Sequence, residues 1–199
     1  MPGLNTNMEK KDKLTFNLHG YIPRSSVNGP GERFVIFTQG CSRLCPGCNN
    51  IDALAHEPRM LMTVDELYDK AATTKGIEGV TFSGGEPLEQ IDACLELCRR
   101  LRSETGLSML VYTGFNPDEI KAMPLGEEFL NTIDVLVAGP FIKESKCKSG
   151  LAGSNNQEII FLTYRYTMND IEHPDDFEIF VYPDGHVVMT GILPDGDVL

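Results

Sequence analysis

Three cysteines stand close enough together in the sequence to share one metal centre. They follow the spacing Cys41-x-x-x-Cys45-x-x-Cys48 and are half of the six cysteines in the 199-residue chain. A structural zinc site needs four closed ligands, and the best additional ligands here are His56 and Cys147. A four-iron, four-sulfur (4Fe-4S) cluster held by three thiolates instead keeps one iron open for an outside ligand, which suits chemistry. The spacing therefore favours a catalytic cluster over a structural metal site.

The other three cysteines are separate from this triplet. Cys94 and Cys98 lie four apart on a predicted helix, where small apolar side chains on or near a buried stripe explain them more simply than chelation. Cys147 lies in the polar segment 143–150 and is predicted to be a free surface thiol. Only the triplet is therefore expected to bind metal.

A second motif is the glycine-rich segment Ser83-Gly-Gly-Glu-Pro87. Taken alone, it is typical of an ordinary turn between a strand and a helix, because paired glycines are common there. Following the cysteine triplet, however, it resembles the segment with which radical S-adenosylmethionine enzymes bind the methionine end of their cofactor. The triplet itself resembles the cluster signature of that family.

The resemblance implies a role for each motif residue. Cys41, Cys45 and Cys48 would hold the cluster, and the predicted contacts to S-adenosylmethionine are Gly47, Asn49, Gly84, Gly85, Glu86 and Thr113. Glu86 supplies an anion for the cofactor's ammonium group, and the paired glycines have no Cβ to block close approach. Gly47 and Asn49 would lie against the adenine. One electron passed into the cluster would then release a 5'-deoxyadenosyl radical.

Further segments are similar to the small activating proteins of anaerobic ribonucleotide reductase, over about residues 16–194. They are residues 28–33 (NGPGER), Gly40, Asn50, residues 111–114 (VYTG), 134–137 (DVLV), 139–141 (GPF), 153–157 (GSNNQ) and 190–191 (TG). A second run of closely spaced cysteines, which larger activases carry, does not occur. The resemblance implies that the partner is a glycyl-radical enzyme such as anaerobic ribonucleotide reductase. It also implies a one-electron donor such as flavodoxin or ferredoxin.

Two departures from that pattern leave alternatives open. Asn49 stands where the activators usually carry Tyr, and Ala138 stands where they often carry Asp. A stand-alone radical enzyme acting on a small molecule or a peptide is therefore a competing prediction. A non-catalytic module that binds zinc is a second one.

Alternating strands and helices are expected to position the motifs. The apolar run 34–37 predicts a buried strand directly before the cysteine loop, and residues 79–82 predict a strand before the glycine-rich turn. Helices are predicted at 63–74, where Thr63 and Glu66 form a capping box, and from Leu88 to Leu101. Further strands are predicted at 108–112, 133–137 and 158–162, and a hairpin at 177–192. This alternation implies parallel βαβ units.

The predicted fold class is α/β, with an irregular lead-in over residues 1–32 and a single radical S-adenosylmethionine domain over residues 33–199. The five or six predicted strands and the length fall short of a complete eight-stranded barrel, which takes roughly 250 residues. We therefore expect a partial, open β/α barrel with a C-terminal β-hairpin. An open barrel cannot enclose its substrate, which favours a glycine on a large partner protein.

Composition excludes two classes of partner. The chain has 17 basic and 29 acidic residues, a net charge of -12, so its surface repels a phosphate backbone and nucleic acid is not expected to bind. No window approaches the roughly 18 consecutive apolar residues of a membrane span, and no signal peptide is visible. We therefore expect a cytoplasmic protein.

Overall fold

The computed structural model describes residues 14–147, 150–171, 177–185 and 187–192. Its main feature is a seven-stranded mixed sheet in the order β3-β1-β2-β4-β5-β6-β7. The strands are β1 (Thr15–Ser25), β2 (Arg33–Thr38), β3 (Met60–Thr63), β4 (Gly79–Gly84), β5 (Ser108–Thr113), β6 (Val135–Ala138) and β7 (Glu158–Phe161). Neighbours in the run β2, β4, β5 and β6 pair in parallel, whereas β1 is antiparallel to β2 and β3, and β7 to β6.

Four helices lie between the strands. They are α1 (Val64–Thr73), α2 (Ile91–Glu104), α3 (Pro117–Ala122) and α4 (Gly126–Leu130). The capping box that begins α1 is confirmed, because Glu66 N donates to Thr63 Oγ1 at 3.2 Å and Thr63 N donates to the Glu66 carboxylate at 2.7 Å. The predicted apolar stripe of α2 is also confirmed, and its residues Leu95, Cys98 and Leu101 belong to the main hydrophobic core.

The core has two parts on the sheet. The larger one contains α1, α2 and side chains of the strands such as Phe34, Ile36 and Phe82. The smaller one joins Leu110, Val135 and Val137 to residues that follow the central strands, Leu151, Tyr166 and Ile171. Apolar burial on both faces explains why the central strands are almost entirely apolar rather than alternating.

The irregular lead-in predicted for residues 1–32 is wrong for residues 15–25, which form β1. This strand is paired on both sides, and Phe16, Leu18 and Ile22 are buried. The sequence analysis also omitted β3, α3 and α4, which are four to six residues long and too short for a clear periodic signal. Parallel pairing holds for the four central strands only. Residues 1–13 of the predicted lead-in lie outside the described residues.

The predicted C-terminal hairpin is confirmed as β8 (Phe177–Val181) and β9 (Val187–Gly191), a separate two-stranded sheet. Glu178 fixes it to the end of β1 and the residue that follows, since its carboxylate accepts from Ser25 Oγ at 2.5 Å and from Ser26 N at 3.0 Å. Asn28 Nδ2 adds a bond to Thr190 Oγ1 at 2.9 Å. The hairpin therefore stands beside the start of β2.

The α/β prediction is confirmed, with one mixed sheet instead of an all-parallel one. Its edge strands, β3 and β7, do not pair with each other in the described part of the chain. None of the helices placed there is long and apolar enough to cross a membrane.

Candidate functional site

The cysteine segment leaves the sheet at the carboxyl end of β2, and its two ends are tied together. Gly40 N donates to the carbonyl of Ala53 at 2.8 Å, and Cys41 N donates to that of Leu54 at 3.0 Å. A short 3-10 turn at Ile51–Ala53, with Leu54 directly after it, supplies these carbonyls. Gly40 has a φ of 101°, a conformation that favours glycine and turns the chain out of the strand. The loop that carries the three thiols is thus anchored at both ends.

The thiols are partly sheltered within this loop. Cys41 is buried, and Cys45 and Cys48 are half-buried. Burial raises the pKa of the Cys41 and Cys48 thiols, and hydrogen bonds from nearby backbone amides partly offset this rise. Burial therefore favours the protonated form of both thiols.

The glycine-rich turn lies directly against this loop because β2 and β4 are parallel neighbours whose carboxyl ends meet. Gly85 N donates to the carbonyl of Thr38, and Glu86 N to that of Gly40, both at 2.8 Å. A Cβ on Gly85 would lie 2.3 Å from Gly40 O, and one on Gly84 would lie 2.5 Å from Thr38 N. The sequence analysis explained the two glycines by close approach of a cofactor. Contact between the two motifs themselves already requires them.

Glu86 is the most constrained polar group of the site. Its side chain is buried and accepts three hydrogen bonds, from Leu88 N at 3.0 Å, Thr113 Oγ1 at 2.8 Å and Gly114 N at 2.7 Å. Burial raises the pKa of Glu86 to about 7, and these bonds limit the rise. Since Oε1 takes two of the donors and Oε2 takes one, Oε2 retains an acceptor position for a ligand.

An inner cavity of about 140 Å³ brings the two motifs together. Seven of the nine predicted site residues line it, namely Cys41, Cys45, Cys48, Gly84, Gly85, Glu86 and Thr113. Asn49 does not line it, whereas its neighbour Asn50 does. Three thiols and a buried carboxylate with an open acceptor position suit a metal cluster beside a small cationic ligand.

An outer cavity of about 230 Å³ adjoins the inner one. Six residues line both, namely Cys48, Asn50, Ser83, Tyr112, Phe141 and Gln157. Asn49 lines the outer cavity, together with Asn28 and residues 189–192 of the hairpin end. Pockets that hold ligands of moderate size usually measure roughly 300 Å³ or more. Such a ligand would therefore extend across both cavities.

Gly47 is the one predicted contact that lines neither cavity. It faces a separate depression beside Lys143, and a Cβ at this position would lie 2.7 Å from Lys143 Cδ. Its φ of 75° is the conformation that glycine tolerates best. In this structure Gly47 shapes the loop between Cys45 and Cys48.

Several residues of the site were not singled out by the sequence analysis. Arg43 lines the inner cavity, pairs with Glu119 of α3 at 2.9 Å and lies over the Phe115 ring at 4.7 Å. Glu89 accepts from Ser42 N at 2.7 Å, which fixes the loop beside Cys41. These partners are distant in sequence, so spacing gives no signal for them.

Segments that carried only a resemblance now have a place. Gln157 Nε2 donates to Gly139 O at 2.8 Å, and Asn156 Nδ2 donates to Pro140 O at 2.8 Å. These bonds hold residues 153–157 against residues 139–141, and both segments reach the cavities through Gln157 and Phe141. These two segments therefore form part of the lining of both cavities.

The remaining cysteines and histidines are accounted for elsewhere. Cys94 and Cys98 are fully buried in the core, as predicted, and burial raises the pKa of both thiols. Cys147 Sγ lies 3.2 Å from Asn155 Oδ1 and lines neither cavity. His56 Nε2 pairs with Glu89 at 2.7 Å, and His19 Nδ1 lies 3.0 Å from Gln39 Oε1. His173 and His186 lie outside the described residues.

In the part of the chain that the structure describes, no group of three or more His, Cys, Asp or Glu side chains is placed to hold a metal ion. Zinc would require its ligands to converge at about 2.0–2.3 Å from one ion. A 4Fe-4S cluster makes a different demand, because each thiolate binds a different iron. A cluster therefore does not require the three thiols to converge on a single ion.

A family model and several curated relatives match most of this chain. Residues 27–160 match the model of the 4Fe-4S single cluster domain. The anaerobic ribonucleoside-triphosphate reductase-activating protein of Escherichia coli K12 is 34% identical over 151 residues, which cover 72% of this chain and 97% of the relative. The proteins of the same name from Vibrio cholerae and enterobacteria phage T4 are 33% and 30% identical, covering 76% and 72% of this chain and 99% and 92% of those relatives. Among solved structures, QueE from Escherichia coli is 13% identical with a TM-score of 0.43, and the match covers 65% of this chain and 61% of QueE. This identity and TM-score are too low to bear on activity.

Proposed function

Because the chain belongs to the family of anaerobic ribonucleoside-triphosphate reductase-activating proteins, we propose that its own partner is an anaerobic ribonucleotide reductase, on which it installs a glycyl radical. It is a radical S-adenosylmethionine enzyme with a 4Fe-4S cluster. The observation that carries the proposal is the inner cavity, where all three cysteines and the Gly84-Gly85-Glu86 turn line one space.

The cluster ligands in this proposal are Cys41, Cys45 and Cys48. The loop that carries them is closed by the backbone bonds at Gly40 and Cys41, so the three thiols are held on one short segment before metal binds. A cluster with three protein ligands would leave one iron free for an outside ligand. When bound, the cluster and S-adenosylmethionine would supply the radical chemistry that removes a hydrogen atom from a glycine of the partner.

Glu86 binds the ammonium group of S-adenosylmethionine in this proposal. Thr113 and Gly114 fix its carboxylate in one orientation, so the open acceptor position of Oε2 is ready before the ligand arrives. A cation placed there favours the ionised carboxylate, which lowers the pKa that burial has raised to about 7. Thr113 is thus a positioning residue for Glu86.

The adenine end of the cofactor extends in this proposal into the outer cavity, where Asn49 is available to it. Gly84 and Gly85 keep the glycine-rich turn against the cysteine loop. Gly47 contributes through the shape of that loop, since it lines neither cavity.

The partner must bring its glycine to the outer cavity. We infer an open β/α barrel, supported by the sheet edges β3 and β7 that do not pair in the described residues.

A one-electron donor such as flavodoxin or ferredoxin supplies the reducing equivalent. We place the protein in the cytoplasm, where thiols are kept reduced and available to a cluster.

The test is cleavage of the cofactor by the reconstituted protein. Anaerobic reconstitution with iron and sulfide should give the brown absorption of a 4Fe-4S cluster, and dithionite with S-adenosylmethionine should then yield 5'-deoxyadenosine and methionine in equal amounts. A colourless zinc protein, or a cluster that yields no 5'-deoxyadenosine, would overturn the proposal. Product formed while no reductase acquires a radical would instead favour a stand-alone enzyme.

A further inference from the structure

One face of the C-terminal hairpin is apolar and open to solvent. Phe177, Ile179, Val181 and Val187 are 39%, 53%, 73% and 51% exposed. Val181 pairs with Val187 and Ile179 pairs with Met189 across the two strands, and directly opposed residues point to the same side of a sheet. These five side chains therefore form one surface, which we call the hairpin face.

The opposite face holds the hairpin in a fixed orientation. Glu178 and Thr190 are a cross-strand pair on that side. Glu178 accepts from Ser25 and Ser26, and Thr190 Oγ1 exchanges hydrogen bonds with the Asn28 side chain at 2.9 and 3.1 Å. The anchored side thus carries these polar contacts beside the half-buried pair Phe180 and Val188, and the hairpin face is directed away from these anchors.

The hairpin face continues into the wall of the outer cavity. Met189 belongs to the face and also lines that cavity, with Ile192 beside it and Cys48 and Asn49 on the cysteine loop. A molecule that covers the hairpin face therefore also lies next to the outer cavity.

The charge of the molecule makes this surface distinctive. The chain carries 29 acidic and 17 basic residues, whereas all five residues of the hairpin face are uncharged. Contiguous exposed apolar surface is uncommon on a soluble domain and marks a contact with another protein.

We propose that the hairpin face is the docking surface for the glycine-bearing reductase, which contacts Ile179, Val181 and Val187 while its glycine segment enters the outer cavity past Met189. This inference rests on the proposed function, because it assumes a protein substrate. The hairpin face continues into the cavity wall at Met189. A protein whose glycine reaches the cavity must also cover the surface beside it, which favours the reductase as the partner.

The experiment titrates the anaerobic reductase of the source organism against Ile179→Asp and Val181→Asp. Glycyl radical is measured by electron paramagnetic resonance, and 5'-deoxyadenosine formed with dithionite in the absence of reductase is measured in parallel. We expect each variant to need at least about tenfold more reductase for half-maximal radical formation, as for the loss of a central apolar contact. Cofactor cleavage without the reductase should stay within about twofold of wild type, because neither residue lines a cavity.

Leu61→Asp is the matched control. Leu61 is 64% exposed on β3, the edge strand at the far end of the sheet order from β7. The same apolar-to-acidic change there should leave the reductase titration unchanged.

Three results would overturn the docking proposal. The first is a wild-type titration with both hairpin variants, and the second is an equal loss with Leu61→Asp. The third is a change of oligomeric state, in which wild type sediments as a dimer and the hairpin variants sediment as monomers while their reductase titration is unchanged. This result would assign the hairpin face to contact with a second copy of the chain. If the wild-type protein cleaves the cofactor but gives no glycyl radical on the reductase, the proposed function fails instead.

Discussion

Glu86 is the residue at which the two motifs and β5 meet. Its amide bonds to the start of the cysteine loop through Gly40 O, and its carboxylate accepts from Thr113 and Gly114 at the end of β5. The resemblance of the glycine-rich segment predicted that the Glu86 carboxylate meets the cofactor's ammonium group. The hydrogen bonds that hold this carboxylate could not be predicted, because Thr113 and Gly114 lie 27 and 28 residues further along the chain.

The raised pKa of Glu86 predicts a pH dependence of stability in the cluster-free protein. The folded state binds the carboxyl proton more tightly than the unfolded state, with a pKa of about 7 against 4.5. The resulting stabilisation is complete below pH 4.5 and is lost as the pH rises through 7, by about 2–3 kcal/mol between pH 5 and pH 8. Urea unfolding of wild type and Glu86→Gln across this range measures it. As the pH rises, the free energy of unfolding of wild type should fall relative to that of Glu86→Gln. Parallel pH profiles of the two proteins would contradict the raised pKa of Glu86.

The two classes of cysteine predict opposite outcomes on substitution. Cys45→Ala removes a cluster ligand and should abolish both the iron-sulfur absorption and 5'-deoxyadenosine formation. Cys94→Ala removes a buried thiol of α2 that lies 3.3 Å from Pro87 O, and should cost only about 1 kcal/mol of stability. Iron content and cleavage activity after reconstitution distinguish them. A Cys94→Ala protein that fails to assemble a cluster would mean that the Cys94 thiol is needed for cluster assembly.

At the scale of elements, the site is made by parallel strands that end at the same edge. β2 and β4 are neighbours with Thr38 opposite Gly84, so the segments that follow them must touch. The apolar runs at 34–37 and 79–82 made these two strands predictable. β1 was not predicted, because its Gly20 and Pro23 are typical of irregular segments and its buried positions are set by pairing with both β2 and β3.

Contact between the two motifs predicts that Gly85 is irreplaceable. In Gly85→Ala the new Cβ would lie 2.3 Å from Gly40 O and 2.9 Å from Ala53 O, so the turn must move away from the cysteine loop. We expect a loss of about 1–3 kcal/mol in stability and less than half of the wild-type cluster content. Gly106→Ala is the matched control, since its Cβ would meet no atom within 4 Å. Equal cluster content in the two variants would refute this role for Gly85.

At the scale of the whole molecule, one sheet carries the candidate site, and a separate hairpin lines part of the outer cavity. The length of 199 residues predicted an incomplete barrel, and composition predicted that nucleic acid is not the partner. The wall that the hairpin adds to the outer cavity could not be predicted, since it depends on Asn28 and Thr190, which are 162 residues apart. The partner is therefore expected to meet a surface assembled from both ends of the chain.

The most direct test of this account is electron paramagnetic resonance of the reductase. Wild-type protein with a reconstituted cluster, S-adenosylmethionine and a strong reductant is incubated anaerobically with the anaerobic reductase of the source organism. The account predicts a glycyl radical signal on the reductase that is lost when the partner's glycine is replaced by alanine and when Cys45→Ala is used as the activator. A reductase that stays silent while the protein continues to produce 5'-deoxyadenosine would contradict it.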